Sequence, residues 1–398
     1  MTDRIYYLEP ACRAFDAVVT RLVQDEGRPA VLLDRTAFYP TSGGQPFDTG
    51  RLGPYDVLET IDRDDEIWHV VSAPIPEGSR LHGEVDWTRR FDHMQQHTGQ
   101  HILSAAFDRL LDNRTMSFHM GAETATIDLA RDVSPADLER CVDEANRVVW
   151  EDRPVTIRFA SPEEAAQLPL RKEPVRQGPL RLIEVSDFDL SACGGTHVAR
   201  TGEIGTIVVI GAERFKGGSR LTFVCGGRAI RAFRTYRDAV AGSVRSLSVL
   251  PHELPAAVDR LQADFKQARK TISRMQASLA VHEASRLLSE APEVEGIRLV
   301  AHVLDGWDAP GLKAVATAMT AQEKVAAALF SSAPPMAVVI ARSADAAINA
   351  NAVLQQLLSR YGGRGGGKAD LAQGAGLTGD SNEILAAARS YIERSLST

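Results

Sequence analysis

SACGGTHVA, residues 191–199, places Cys193 four residues before His197, with Gly194, Gly195 and Thr196 between them. On a helix that spacing would put both side chains on one face, but each glycine costs a helix about 1 kcal/mol relative to alanine. The stretch reads as a tight loop, and a loop that offers a thiolate and an imidazole suits a metal ion. Two ligands are too few. The others lie in DHMQQHTGQHILSAAFDRLL, residues 92–111, where His97 and His101 project about one turn apart from one face of a helix. Two imidazoles from a helix, with a thiolate and an imidazole from a loop, make a nitrogen and sulfur set suited to tetrahedral Zn2+ at bond lengths of about 2.0–2.3 Å. A helix and a distant loop are therefore expected to meet at one ion.

The remaining cysteines, Cys12, Cys141 and Cys225, read as small buried hydrophobes. Cys141 belongs to SPADLERCVDEANRVVW, a helix expected to open with Ser134 as its cap and Pro135 at its first position. His93, one turn before His97, is read as a solvated or supporting residue rather than a ligand. Four cysteines at irregular spacing give no disulfide framework, which fits a reducing compartment.

With 398 residues, 44% of them hydrophobic, the chain is long enough for two or three domains with ordinary cores. No apolar run approaches the roughly 20 residues of a membrane span, and MTDRIYYLEPACRAF lacks the apolar region of a signal peptide, so the expected location is the cytoplasm. A net charge of −7 does not mark a nucleic-acid binder, so any contact with RNA must use local patches. The best of these is LRKEPVRQGPLR, where Arg171, Lys172, Arg176 and Arg181 face a single Glu173. A solvated loop is the plainer reading of the same charges.

The expected fold class is α+β in four parts. Residues 1–85 alternate short apolar runs with Gly, Pro and Asp punctuation, the pattern of a small β-barrel. Residues 86–232 mix helices with strands such as IGTIVVI and LTFVCGG and form the domain that carries the zinc site. Residues 233–291 read as a helical arm, because Leu254, Val258, Leu261, Phe265, Ala268, Ile272, Met275 and Leu279 are spaced by alternating steps of four and three, a heptad seam that also suits a homodimer contact. Residues 292–398 read as a compact α/β domain, with IRLVAHVL and MAVVIAR as buried strands and helices around 310–330, 345–360 and 380–396. Between its last two helices GGRGGGKADLAQGAG, residues 362–376, reads as a glycine-rich loop whose backbone N–H groups, with Arg364 and Lys368, can approach phosphate. It has neither the Walker order nor the full dinucleotide fingerprint, so ATP and NAD are not expected.

HTGQH together with CGGTH resembles the zinc-binding HxxxH and CxxxH motifs of the AlaX-type alanyl-tRNA editing proteins and of the editing domain of alanyl-tRNA synthetase. TAFYPTSGGQPFDTG is similar to the glycine-rich barrel motif of that family, MSFHMG to its GFHLG-like segment, and the 362–376 tail to the end of the synthetase's DHH-associated C-terminal domain. The resemblance covers nearly the whole chain and implies a long-form editing protein that hydrolyses serine, or glycine, from mischarged tRNA(Ala), with Zn2+ on His97, His101, Cys193 and His197. It implies a substrate pocket at Thr36, Thr41, Gly43, Gly44 and Gln45, with His119 orienting water or the tRNA end, and tRNA contacts through the C-terminal domain. No aminoacylation domain and no Asp-His-His motif is seen, so neither tRNA charging nor phosphoesterase chemistry is expected. Two other readings stay open: a zinc-stabilised tRNA-binding module without activity, and a deacylase for another mischarged tRNA.

Overall fold

Inward apolar residues, alternating with polar ones along parts of several strands, and short turns between let the first strands of the chain close on themselves. In the computed structural model, which describes residues 2–171 and 180–397, β2 (Ala14–Asp25), β3 (Arg28–Leu33), β5 (Gly50–Leu52), β6 (Tyr55–Arg63), β7 (Glu66–Val71) and β8 (Arg80–Val85) form a closed barrel in the order β2-β3-β7-β6-β5-β8. The short strands β1 (Asp3–Arg4) and β4 (Arg35–Thr36) pair in parallel beside it. Val19, Val31, Leu33, Phe38, Leu52 and Val71 fill the core.

A histidine shares the barrel core. His69 is fully buried, with Nε2 2.8 Å from Thr36 Oγ1 and Nδ1 3.1 Å from the Val31 carbonyl. Burial, only partly offset by the Val31 carbonyl, lowers its pKa to about 4, so the folded protein holds it neutral. The unfolded chain, with a pKa near ~6.5, binds one proton more through the interval between those values. The contribution of His69 to stability is therefore full above about pH 6.5 and is lost as the pH falls toward 4, at about 1.4 kcal/mol per pH unit. His69→Gln is expected to remove that slope in urea unfolding at pH 5 and 7; an unchanged slope would show that His69 is already protonated in the fold.

α1 (Trp87–Leu111) follows the barrel directly. The Asp86 carboxylate accepts from Arg89 N–H at its start, and Asp112 in the left-handed region (φ 50°) ends it. One face is tied to the barrel by Arg90, which is fully buried, bonds Asp48, and donates through Nη1 to the Pro10 carbonyl at 2.7 Å. The rest packs against α2 (Pro135–Trp150), opened as expected by the Ser134 hydroxyl and Pro135, and against a four-stranded antiparallel sheet. That sheet runs β14 (Ile207–Phe215), β15 (Gly218–Cys225), β10 (Ala125–Leu129), β9 (Thr115–Met120). A smaller antiparallel sheet joins β11 (Val155–Ala160), β12 (Leu180–Val185) and β13 (Asp189–Ala192), with the one-turn helix α3 (Pro162–Ala165) after β11. Cys141 and Cys225 lie in this core. Gly99 of HTGQH is a packing requirement, since a Cβ there would stand 2.4 Å from Cys225 Sγ.

The chain divides into two compact units, Met1–Gly242 and Ser243–Thr398, the boundary falling within α4 (Gly226–Leu247). In the second unit α5 (Leu254–Ser289) leads through β16 (Glu293–Val294) into a six-stranded sheet ordered β16-β17-β18-β19-β21-β20. Its strands are β17 (Ile297–Leu304), β18 (Val325–Ser331), β19 (Met336–Arg342), β20 (Arg364–Gly367) and β21 (Leu371–Leu377), and its helices α6 (Ala309–Thr320), α7 (Ala350–Tyr361) and α8 (Ser381–Leu396). Only β17 and β18 pair in parallel.

Two expectations change here, and a third is left open by the exposure of its residues. The helix expected over 310–330 stops at Thr320, and Val325–Ser331 is a central strand whose alanines are small enough to be covered on both faces. The 362–376 loop is a β-hairpin, β20–β21, in which glycine is needed for close pairing: a Cβ on Gly367 would lie 2.4 Å from the Ala372 Cα. On α5 the residues that pack on α6 and the sheet are Ala280, Ala284, Leu287 and Leu288, whereas Leu261, Phe265, Ile272, Met275 and Leu279 of the heptad seam are exposed. Among the described residues no helix is long and apolar enough to cross a membrane.

Candidate metal centre

β13 delivers its chain into the 193–200 segment, which has no helix or strand and returns over α1. There the ligand atoms of His97, His101, Cys193 and His197 all lie within 4.8 Å of one another, with the three histidines buried and Cys193 partly exposed. Cys193 Sγ is 3.4 Å from His97 Nε2 and 3.4 Å from His197 Nε2. Gly195 makes this approach feasible: a Cβ on it would stand 2.1 Å from His97 Cε1.

Each imidazole is held by its outer nitrogen, and the partners come from separate parts of the chain. His97 Nδ1 donates to Gln45 Oε1 at 2.7 Å. That oxygen is fixed as the acceptor because the Thr196 backbone N–H also donates to it at 3.0 Å, while Gln45 Nε2 donates to Thr196 Oγ1 at 2.8 Å. His101 Nδ1 donates to Asp189 Oδ2 at 3.0 Å. His197 Nδ1 lies 3.2 Å from Thr98 Oγ1, which also accepts the Val198 N–H. With Nδ1 committed, Nε2 is the nitrogen that faces the cluster on His97 and His101, and on His101 it becomes a lone pair for an ion once its proton to Cys193 is given up.

The electrostatics favour a bound cation. Burial opposes charge on Cys193, but His97, His197 and a hydrogen bond from His101 outweigh it and hold the thiol well below its ordinary range. Burial also opposes charge on His101, yet its hydrogen bonds to Asp189 and Cys193 raise it to about 9. His197 is lowered to about 3, chiefly by burial. A thiolate facing three imidazole nitrogens, with a carboxylate behind one of them, is the donor chemistry of a zinc site. The residues present fit that ion.

A cavity of about 190 Å³ opens beside the cluster, with His97, His101 and Cys193 in its wall. Of the residues expected to form the pocket, Gly43 lines it, and Gly44 lies against Phe118, where a Cβ would stand 2.9 Å from the Phe118 ring. Gln45 supports His97 instead of facing the cavity. Thr36 belongs to the barrel interior, bonded to His69 and to the Phe38 N–H at 3.1 Å, and Thr41 accepts the Phe47 N–H at 3.1 Å as turn chemistry. His119 is exposed on β9; its neighbour Phe118 is the one in the wall, 5.4 Å from the His97 ring.

The basic stretch also separates. Lys172 and Arg176 lie outside the described residues. Arg171 lines the cavity and grips Asp189, Nε to Oδ1 at 2.6 Å. Arg181 is not a surface cation: it is buried, and donates to the carbonyls of Cys193 (2.7 Å), Gly195 (2.9 Å) and Tyr7 (2.8 Å), which sets the curvature of the CGGTH loop. Arg364 and Lys368 are exposed at the two ends of β20. Asp189 and Thr98 escape a reading of the sequence. The signal for Asp189 is its place four residues before the cysteine, on the strand that feeds the loop.

The chain is similar to known proteins over nearly its whole length. Residues 180–222 match the threonyl and alanyl tRNA synthetase second additional domain, and residues 296–394 match the DHHA1 domain. The alanyl-tRNA editing protein AlaX-L of Pyrococcus horikoshii is 31% identical over 388 residues, an alignment that covers 94% of each chain. The chain belongs to the AlaX-L family of alanyl-tRNA editing proteins. Alanine–tRNA ligases align over the same region: that of Methanoculleus marisnigri is 36% identical over 389 residues, 94% of this chain but 41% of the ligase, and that of Pyrococcus abyssi is 31% identical over 388 residues, 42% of the ligase. This AlaX-L chain thus spans less than half the length of the ligases it matches. Both matched domains fall in parts described above: the first holds β12 to β14, the start of β15 and the CGGTH loop, the second β17 to β21 of the six-stranded sheet.

Proposed function

We propose that the chain is a trans-editing deacylase that hydrolyses the ester joining serine, and also glycine, to the 3′ end of tRNA(Ala), with Zn2+ held by His97, His101, Cys193 and His197. The observation that carries this is the quartet itself, with each outer imidazole nitrogen held and a small cavity alongside, in a member of the AlaX-L family. A cavity of about 190 Å³ is smaller than the roughly 300–1,000 Å³ of ordinary ligand pockets, which suits a small amino acid at the end of a large nucleic acid.

When bound to these four ligands, Zn2+ would supply a fixed positive charge near an ester or hydroxyl oxygen, and because the four complete a tetrahedral set that charge would act by electrostatic attraction and not through an open coordination position. The chain's own residues do the rest. Gln45, Asp189 and Thr98 hold the imidazoles so that no reorganisation is needed on binding. Phe118 and Met116 form an apolar wall that limits water at the ester, and Gly43 lets substrate approach the backbone. Arg171, spanning from Asp189 to the cavity, keeps that carboxylate from competing for the substrate's polar groups. Arg364 and Lys368, exposed on the β20 hairpin, offer two phosphate contacts, and two linked weak sites raise affinity through effective concentration.

The test is hydrolysis of Ser-tRNA(Ala) beside Ala-tRNA(Ala) by protein of measured zinc content. Rapid loss of the seryl ester with the alanyl ester spared is expected. Stable esters of both kinds with zinc-loaded protein would leave the tRNA-binding module without activity as the better account.

A further inference from the structure

Selectivity for serine over alanine needs a buried group that rewards one hydroxyl, and the side chains that the sequence points to are already engaged. Thr36 is bonded within the barrel to His69 and the Phe38 N–H, Thr41 to Phe47, and both ends of the Gln45 amide to Thr196 and His97. Three hydroxyls in the cavity wall are also engaged: Thr115 donates to Ser104 (2.7 Å), Ser117 to Asp128 (2.5 Å) and Ser191 to Asp189 (3.0 Å).

Gln100 differs. It lies between the two histidines of HTGQH, lines the cavity with them and is 6% exposed. Its Nε2 donates to Ser104 Oγ at 2.8 Å, and Ser104 Oγ is held in turn by Thr115. Among the described residues no donor reaches Gln100 Oε1. Gln100 Oε1 is not one of the fully enclosed polar atoms, so it is open to the cavity that Gln100 lines and is an acceptor that a ligand entering there can engage.

We propose that Gln100 is a specificity-determining residue whose Oε1 accepts the hydrogen bond of the substrate's side-chain hydroxyl. This rests on the deacylase reading. The competing donor on the same substrate is its α-ammonium, and the charges around the cavity decide between them. Among the described residues no carboxylate lines the cavity, and Arg171 lines it while binding Asp189. A neutral amide oxygen in a cavity that also carries a guanidinium is poor compensation for a buried ammonium but a good match for a neutral hydroxyl. The ammonium then lies toward the solvent side and the hydroxyl toward Gln100. Alanine, which lacks the hydroxyl, leaves Oε1 unpaired, and a site built around such a bond rejects the analogue more strongly than an apolar pocket can.

The experiment compares tRNA(Ala) carrying serine with the same tRNA carrying 2-aminobutyrate, in which a methyl replaces the hydroxyl at nearly equal size. Wild-type protein is expected to prefer the seryl ester in kcat/KM by about 100-fold, and Gln100→Met, of similar length but without the amide, is expected to reduce that preference to within about threefold at unchanged zinc content. A preference that survives in Gln100→Met, or equal loss on both esters with the ratio intact, overturns the assignment; equal loss would place the ammonium at Gln100. If Gln100→Met loses zinc or fails to fold, the smaller Gln100→Ala serves: it removes the acceptor without adding charge and should also bring the ratio to within about threefold, and a ratio that stays near the wild-type value in folded, zinc-loaded Gln100→Ala overturns the proposal. Wild-type protein that cleaves neither ester would refute the deacylase reading instead.

Discussion

Cys193→Ala, purified beside wild type, should carry less than about a tenth of the wild-type zinc and should lose deacylation of the seryl ester in parallel. The thiolate is the one anionic ligand of the four, and three imidazoles that remain lack the charge that offsets burial of a dication. Loss of a partner outside the ligand set typically weakens a metal site about 10–100-fold, so loss of a ligand should exceed that. Asp189→Asn, which keeps a hydrogen bond to His101 but removes the charge, should fall between the variant and wild type in zinc affinity. Metal content by mass spectrometry of the native protein and seryl-ester hydrolysis are the two readouts. A metal-free Cys193→Ala that hydrolyses at the wild-type rate would end the case for a metal-dependent reaction.

Arg90→Met should be the most damaging substitution away from the ligands. Arg90 and Asp48 are both fully shielded from solvent, and Asp48 also accepts the Tyr39 N–H at 2.7 Å. Removing the guanidinium leaves a buried carboxylate without its counter-ion and strands the carbonyls of Pro10 and Ala37, a loss of about 3–5 kcal/mol. Urea unfolding followed by the fluorescence of Trp68 or Trp87 reports it. Replacing both members, Arg90→Met with Asp48→Leu, should recover much of the loss, because the cost lies in the uncompensated charge. A single variant as stable as wild type would mean that water reaches Asp48.

Much of the site was legible because metal ligands obey spacing. His97 and His101 share a helix face whatever surrounds them, and two glycines between Cys193 and His197 force a loop. What lay hidden depends on contacts that no spacing encodes. Gln45 reads as a pocket residue until the loop that carries Thr196, 151 residues later, is folded against it and its amide is taken up by Thr196 and His97. Arg181, in a basic stretch, looks like a surface cation, but β12 turns its side chain inward under the CGGTH loop. Val325–Ser331 reads as helix because three alanines in a row favour helix, and a central strand position overrides that local preference. The heptad seam of α5 is real as a pattern, yet the C-terminal sheet takes the small residues of the same helix.

The dispersed origin of the partners around the cluster bears on how the protein matures. Gln45 comes from the barrel segment, His97 and His101 from the helix after it, and Asp189, Cys193 and His197 from a strand and loop about a hundred residues further on. During synthesis the histidine pair leaves the ribosome well before the cysteine, and a bidentate pair alone binds zinc weakly. If the cluster takes zinc as proposed, high affinity would arise only when long-range closure is complete, and ion capture would stabilise that closure. Uptake of zinc by a refolding chain should accordingly be a late event that reports the finished N-terminal unit, and chelation should loosen the loop before it loosens the barrel.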